Sequence, residues 1–201
     1  MAKVNTSKER LLESAKALMH SRGYADVGVQ ELCNHAGIKK GSFYHFFPSK
    51  QALTLTTLEE MEADLTQKLI IPAFAKDVPP LERLRRFFRL SHAFQTETKE
   101  NQGCCVLGCP FGNLALELGS REPEIRQRIE QAFNRIIAVI RDTIQEAKET
   151  GDIPAFIDPD QTAQAVLSFQ EGILMMAKTC NDTELLRGQE EIALRMCGVV
   201  S

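Results

Sequence analysis

Long hydrogen-bond donors are concentrated in one short segment near the start of the chain. Lysine ammonium groups, hydroxyls and imidazoles donate to phosphate oxygens and to base edges. A glycine among them lets the backbone approach DNA closely. These residue types at this spacing predict contacts with a DNA duplex rather than catalysis. The candidate DNA contacts are Lys39, Lys40, Gly41, Ser42, Tyr44, His45 and Lys50.

The residues around these donors predict two short helices joined by a tight turn. The first helix is expected to end at Gly37, because glycine adopts the left-handed conformation at little cost. The second is predicted from about Lys39 to Phe46, with Phe43 and Phe47 four residues apart and anchoring one face in a core. The other face then presents the donors, which is helix-turn-helix geometry. For His45 the alternative is packing against the following helix.

The first quarter of the chain contains a series of motifs in a fixed order, namely Gly23-Tyr24, Ala36-Gly37-Ile38, Gly41-Ser42-Phe43-Tyr44-His45-Phe46 and Lys50. At these positions the chain resembles the TetR family of bacterial transcriptional repressors. The resemblance implies that Tyr44 and Lys50 contact phosphates, and it leaves Lys39, Lys40, Ser42 and His45 as contacts to phosphates or bases. One departure is that Val27-Gly28 stands where family members have Thr or Ser as a helix cap, and glycine is a weaker cap.

The charge distribution is uneven along the chain. Residues 1–50 hold eight Lys or Arg and four Asp or Glu, a net of +4. The whole chain holds 24 basic and 27 acidic residues, so the remainder is 16 minus 23, or −7. A basic head on an acidic body concentrates positive potential where DNA would bind.

Length and composition predict an all-α protein of two parts with about nine helices. Residues 1–48 are expected to form a three-helix DNA-binding domain, and residues 49–201 a helical effector-binding and dimerisation domain. A fourth helix is predicted from Ser49 to the residue before Pro72, and a last helix from Asp182. No segment has the length and apolarity of a membrane span, and the first ten residues lack a signal-peptide pattern. We therefore expect a cytoplasmic protein.

The resemblance also implies a homodimer and an effector. Family members pair their last two helices, which places two recognition helices about 34 Å apart, one DNA turn, on a near-palindromic operator. The alternative is that these helices complete a monomeric core. The effector is expected to be a small apolar or thiol-reactive molecule bound among the middle helices. Candidate lining residues are Phe87, Phe88, Phe94, Phe111, Leu114, Phe133, Ile137, Phe169 and Met176.

Three cysteines in six residues suggest a second way to sense an effector. Cys109 precedes Pro110 at a predicted helix start, where the helix dipole favours a thiolate. It is the best candidate for a redox or electrophile sensor, with Cys104 or Cys105 as resolving partners. The alternative is that all three are small buried apolar residues. Their spacing lacks the paired Cys-x2-Cys of zinc sites, so neither a metal nor a cofactor is predicted.

Two other classes of function remain as alternatives. Cys109 and His92 could be drawn as the nucleophile and base of a thiol enzyme, but no motif orients them, and no phosphate-binding loop or nucleophile elbow is present. A helical interaction protein without DNA readout is the other alternative. The donors at residues 39–50 have no purpose in either class, so we predict that the chain is not an enzyme.

Overall fold

A computed structural model of the chain describes residues 6–102 and 105–199, and regular structure in that part is entirely helical. This confirms the predicted fold class, and nine helices result when α5 is taken as the continuation of α4. No helix among these residues is long and apolar enough to cross a membrane. The helices are α1 Ser7–Arg22, α2 Val29–Ala36, α3 Lys40–Phe46, α4 Lys50–Leu65, α5 Ile71–Phe74, α6 Pro80–Gln102, α7 Pro110–Leu118, α8 Pro123–Glu149, α9 Pro159–Cys180 and α10 Gln189–Met196.

Internal contacts divide the chain into two compact units. The first contains the described residues up to Ala63 together with Pro110–Glu130. The second contains Asp64–Cys109 and the described residues from Gln131 onward. The first unit therefore adds most of α4, all of α7 and the start of α8 to the three N-terminal helices. The predicted domain boundary after residue 48 stays a prediction.

The first unit is built on α1, α2 and α3. Helix α1 begins with a capping box in which the Thr6 hydroxyl accepts from the Glu9 N–H at 3.2 Å, and the Glu9 carboxylate accepts from the Thr6 N–H at 2.6 Å. These bonds satisfy backbone donors that a helix start leaves free. The buried core of this unit is Leu11, Leu12, Ala15, Met19, Val27, Leu32, Cys33, Ala36, Phe43, Phe47 and Leu53.

The predicted fourth helix continues beyond Pro72, by way of a π-helical turn. This turn spans Thr66–Ile70 and leads directly into α5, where the Ile71 N–H bonds to the Thr66 carbonyl. Proline has no N–H, and its ring collides with the carbonyl four residues earlier. A wider turn just ahead of Pro72 accommodates the ring without ending the helical path.

The second unit packs α6, α8, α9 and α10 around an apolar core. An ion pair between buried Arg83 and half-buried Glu146 joins two of these helices, because the Arg83 guanidinium binds the Glu146 carboxylate through two hydrogen bonds of 2.9 and 2.6 Å. The Arg83 bond holds the pKa of Glu146 at about 2. The core residues are Leu69, Ile70, Ala73, Leu84, Phe87, Phe88, Ile140, Ile144, Ala147, Ile153, Ala163, Val166, Leu167, Ala193, Leu194 and Cys197.

The prediction of one continuous last helix from Asp182 is wrong, because the segment forms a 3-10 turn followed by a separate α-helix. Asp182 does act as a cap, but it caps a 3-10 turn that covers Thr183–Leu186. Arg187 then has extended backbone, and Gly188 has a φ of 76° before α10 begins. Neither conformation continues the hydrogen-bond ladder of an α-helix, so the segment divides into two pieces.

Replacing Gly28 by Ser is expected to stabilise the first unit. Gly28 starts α2 with a φ of −85° and no side-chain cap, and a Cβ added there meets nothing within 4 Å. A serine hydroxyl can cap the helix, and the unfolded chain loses freedom, so we expect a gain of about 0.5–1 kcal/mol. Thermal and urea unfolding measure it.

The matched control is Gly37→Ser, two turns later in the same unit. Gly37 has a φ of 63°, a conformation that costs an ordinary residue about 1–2 kcal/mol. We expect this second variant to be destabilised. Equal effects of the two substitutions would contradict the assigned backbone conformations.

Candidate nucleic-acid interface and thiol site

The exposed face of α3 carries most of the predicted DNA contacts. Phe43 is fully buried and Phe47 nearly so, and they hold the opposite face in the core of the first unit. Tyr44 is 54% exposed, and its ring meets Phe43 edge to face at a centroid distance of 5.1 Å. Ser42 is half-buried. Lys39, Lys40, Gly41, Tyr44 and His45 are exposed on this short segment.

The turn before α3 is fixed by backbone hydrogen bonds. Gly37 is left-handed, and its N–H bonds to the Asn34 carbonyl at 3.2 Å. The Ile38 N–H bonds to the Cys33 carbonyl at 2.9 Å. These two bonds close the end of α2 and set the direction in which α3 leaves it. The sequence-predicted helix-turn-helix is therefore present, with the donors on its outer surface.

Lys50 differs from the other predicted contacts because its ammonium is already bonded. It donates to the carbonyls of Tyr24 at 2.8 Å and Val27 at 3.0 Å, and it lies 3.8 Å from the centre of the Tyr24 ring. Burial lowers the pKa of Lys50, and the nearby Glu117 and Glu122 carboxylates oppose that change. An ammonium has three N–H donors, so a phosphate contact stays a prediction beside this structural role.

Glu117 is a structural residue that the sequence analysis missed. Its carboxylate accepts from the backbone N–H groups of Tyr24 at 2.7 Å and Ala25 at 2.6 Å. Together with Lys50 it holds the connection between α1 and α2, and we call this pair of ions the Lys50–Glu117 clamp. A glutamate on an amphipathic helix carries no sequence signal for a partner 93 residues away.

Of the predicted sensor cysteines, the structure describes two. Cys104 lies outside the described residues, whereas Cys105 and Cys109 are both half-buried. The backbone just before Cys109 is fixed, because the Gln95 amide both donates to the Gly108 carbonyl and accepts from its N–H at 3.2 Å. Val106 is held by the Asn181 side chain at 2.9 Å.

The Cys109 thiol donates a hydrogen bond to Glu171 on α9. Burial raises the pKa of the Glu171 carboxyl to about 7, and the bond from the thiol opposes that rise. Sequence reasoning missed Glu171 and named His92 as the possible base. The His92 ring instead lies 3.9 Å from the Glu184 carboxylate, and the Lys99 ammonium bonds to the Asn181 carbonyl at 2.7 Å.

The candidate effector-lining residues have different surroundings. Phe87, Phe88 and Phe169 form a chain of ring contacts, with centroids 5.5 and 6.1 Å apart. Phe133 and Ile137 pack against the same core, and Phe94 is half-buried. Phe111 and Leu114 are buried on α7, which belongs to the first unit. Met176 is 52% exposed, which does not suit a buried lining residue.

Polar groups also lie within the second unit. The Gln170 amide donates to the Ser91 hydroxyl at 2.7 Å, and both side chains are buried. On the same helix α6, His92 Nε2 and Thr96 Oγ1 are buried atoms that bond to none of the described residues. This unit therefore offers polar groups as well as the apolar walls that the sequence indicated.

Two family models match the sequence in succession. Residues 11–56 match the model of bacterial regulatory proteins of the tetR family. Residues 80–191 match the model described as a tetracyclin repressor-like C-terminal domain. The two matches cover the helix-turn-helix and most of the second unit, so both parts of the chain match models of the same kind of regulator.

Individual relatives are similar along nearly the whole chain. The transcriptional repressor DhaR of a Mycobacterium species is 29% identical over 89% of this chain and 86% of its own length. The repressor NemR of Escherichia coli is 26% identical over 90% and 88%. A crystal structure of a TetR regulatory protein from Rhodobacter sphaeroides superimposes with a TM-score of 0.84 at 27% identity, covering 96% of this chain and 99% of that one.

Removing the Glu117 carboxylate is expected to loosen the connection between α1 and α2. In Glu117→Ala the N–H groups of Tyr24 and Ala25 lose an ionised acceptor, and such bonds are worth about 1.5–3 kcal/mol. We expect lower stability and faster hydrogen exchange at these two amides. Glu130→Ala, an exposed glutamate of the same unit, is the control. Unchanged exchange at both amides would refute the role given to Glu117.

Proposed function

The chain belongs to the TetR family of bacterial regulatory proteins, and on that premise we propose that it is an effector-responsive transcriptional repressor that binds operator DNA as a homodimer. Members of this family bind operator DNA and function as dimers. The observation that carries the proposal is the exposed donor face of α3, held in place by buried Phe43 and Phe47. The repressors DhaR and NemR support repression as the outcome.

In this proposal α3 enters the major groove of the operator. Lys39 and Lys40 stand at its beginning, where they reach phosphates or base edges, and the exposed Tyr44 hydroxyl reaches a phosphate. Ser42 and His45 lie on the same face of α3, where they contact base edges or phosphates. The excess of positive charge in residues 1–50 attracts the duplex. The acidic remainder of the chain repels DNA, so the duplex approaches residues 1–50 first.

The last two helices are the proposed dimer interface. These helices and the 3-10 turn between them carry large apolar side chains that the single chain leaves exposed. A second copy of the chain can cover such side chains through the same surface on both partners. A two-fold dimer in turn fits a near-palindromic operator. The exposed residues are Met175 and Met176 at 52%, Ile192 at 43% and Leu185 at 37%.

The second unit is the proposed receiver of the effector. A small molecule releases the operator if it binds better to the arrangement of the dimer that does not fit DNA. A difference of about 1–3 kcal/mol between the two arrangements changes DNA affinity roughly 5- to 150-fold. The apolar core around Phe87, Phe88 and Phe169 supplies the walls for an apolar effector.

A thiol-reactive effector is the alternative signal, with Cys109 as the sensor. Cys109 is half-buried, and the backbone before it is held through Gln95 and Gly108. Cys105 is a candidate resolving partner that lies four residues earlier. The predicted contribution of Cys104 stays a prediction. Chemistry at Cys109 would act on the residue that directly precedes α7.

Regulation rather than catalysis accounts for the match of both parts of the chain to models of this regulator family. The residues drawn as a thiol enzyme, Cys109 and His92, have other polar neighbours in Glu171 and Glu184. A regulator of this family acts on chromosomal DNA, so the proposal places it in the cytoplasm.

Charge reversal at Lys39 and Lys40 is expected to abolish tight operator binding. Each lysine that neutralises a phosphate contributes about 0.9 to the slope of log affinity against log salt. The double variant should therefore lose up to about two units of slope as well as affinity. Fluorescence anisotropy at several salt concentrations measures both.

The matched control reverses two exposed cations outside α3, Lys68 and Arg126. This variant has the same change in net charge. If the two double variants lose affinity and slope equally, α3 has no special contact with DNA, and a helical protein without DNA readout becomes the better reading.

Replacing Cys109 by Ser is expected to remove the response to thiol reagents. Reduced wild-type protein bound to selected DNA should be released by N-ethylmaleimide or hydrogen peroxide, because modification changes the backbone start of α7. Cys109→Ser should stay bound, whereas Cys180→Ser, at an exposed thiol, should be released as the wild type is. If Cys109→Ser is released equally, the effector is to be sought among apolar molecules.

A further inference from the structure

We propose that Glu171 is the base that accepts the thiol proton when Cys109 reacts with an electrophilic effector. The effector class is an α,β-unsaturated carbonyl compound, whose β-carbon is attacked by sulfur. This inference rests on the proposed sensor role of Cys109 and assigns the residue that makes that thiol reactive. It is carried by the hydrogen bond between the two side chains and by the fixed backbone beside it.

The backbone before Cys109 leaves the thiol little freedom. Gly108 has a φ of 71°, and a Cβ added there would lie 3.5 Å from the Leu174 carbonyl and 3.4 Å from the Lys178 side chain. The buried Gln95 amide bonds to both backbone groups of Gly108. Pro110 restricts the other side of Cys109. Cys109 is therefore held against α9, where it packs against the buried cluster that contains Leu174 and Ala177.

The carboxyl of Glu171 has a base strength suited to a thiol. Burial brings its pKa to about 7, near enough to the ordinary thiol pKa of about 8.5 for a proton to move between them at little cost. Near neutrality a substantial fraction of the carboxyl is ionised and can accept. An ordinary exposed glutamate is ionised too, but it is a far weaker base.

Other charged or titratable side chains lie on the elements packed here. On α6, His92 faces Glu184 of the 3-10 turn and Lys99 bonds to the Asn181 carbonyl. On α9 the Lys178 side chain lies along Gly108. Among the described residues, Cys109 is the one whose hydrogen bond affects the pKa of Glu171.

The proposed step balances without an oxidant. The Cys109 sulfur forms a bond to the β-carbon, and the carbon–carbon π bond breaks. The π electron pair moves onto the carbonyl oxygen as an enolate, while the thiol proton passes to Glu171. Glu171 then returns that proton to the α-carbon of the enolate, which leaves a thioether and regenerates the carboxylate.

The test measures the alkylation rate of Cys109 by N-ethylmaleimide in the full chain between pH 5.5 and 9. Peptide mass spectrometry reads Cys109 and the exposed Cys180 in the same sample, so that Cys180 is an internal reference. The variants are E171Q, which keeps the shape of the side chain but cannot accept the proton, and E184Q as a matched control. DNA binding by each unmodified variant shows that it is folded.

We expect E171Q to lower the Cys109 rate at pH 7 about 10- to 100-fold, with Cys180 and E184Q unchanged. The wild-type rate should rise as Glu171 ionises near pH 7, and the two rates should converge at high pH, where the thiol ionises unaided. A Cys109 rate in E171Q equal to or above that of the wild type overturns the proposal, because the carboxylate would then restrain the thiol.

The same samples separate this inference from the sensor function. If wild-type Cys109 is alkylated through Glu171 but DNA stays bound, the sensor role fails while the base is supported. If DNA is released at the same rate in wild type and E171Q, the sensor role stands and the base is refuted. E171D, which keeps an acceptor, should recover part of the rate if proton transfer is the cause.

Discussion

The DNA-reading helices depend on how the connection between α1 and α2 is held. That connection has little regular structure, so its backbone groups need partners outside a helix ladder. Lys50 binds the carbonyls of Tyr24 and Val27, and Glu117 binds the N–H groups of Tyr24 and Ala25. The ammonium thus satisfies backbone carbonyl groups, and the carboxylate satisfies backbone N–H groups. Because α2 and α3 follow directly, the clamp fixes the base from which the donor face is presented.

Covalent order links this clamp to the thiol site. Cys109 precedes Pro110, the first residue of α7, and Glu117 lies in the last turn of the same helix. A helix is a stiff element, so its two ends do not move independently. Release of DNA by an effector needs only a modest difference in binding energy between two arrangements. In our proposal the sensor thiol of Cys109 directly precedes α7, and the clamp carboxylate lies near the end of that helix, so the difference is applied along one helix.

Local chemistry made the helix-turn-helix predictable. Gly37 has to be left-handed, Phe43 and Phe47 have to face one core, and the donors are left on the other face. Contacts between distant residues were not predictable, since Glu117 and Glu171 look like ordinary helix-surface glutamates. The sequence shows the basic character of Lys50 but not the two carbonyls it binds. It shows the cap at Asp182 but not the break at Gly188, because a single glycine is compatible with either outcome.

The most direct test of the account is to select binding sites from random DNA duplexes with the reduced full chain, and then to measure the mass of the complex on the best site. We predict enrichment of an inverted repeat whose half-sites are centred about 34 Å apart, bound by two chains. Failure to enrich any sequence, or binding of a single chain to a site without two-fold symmetry, would contradict it.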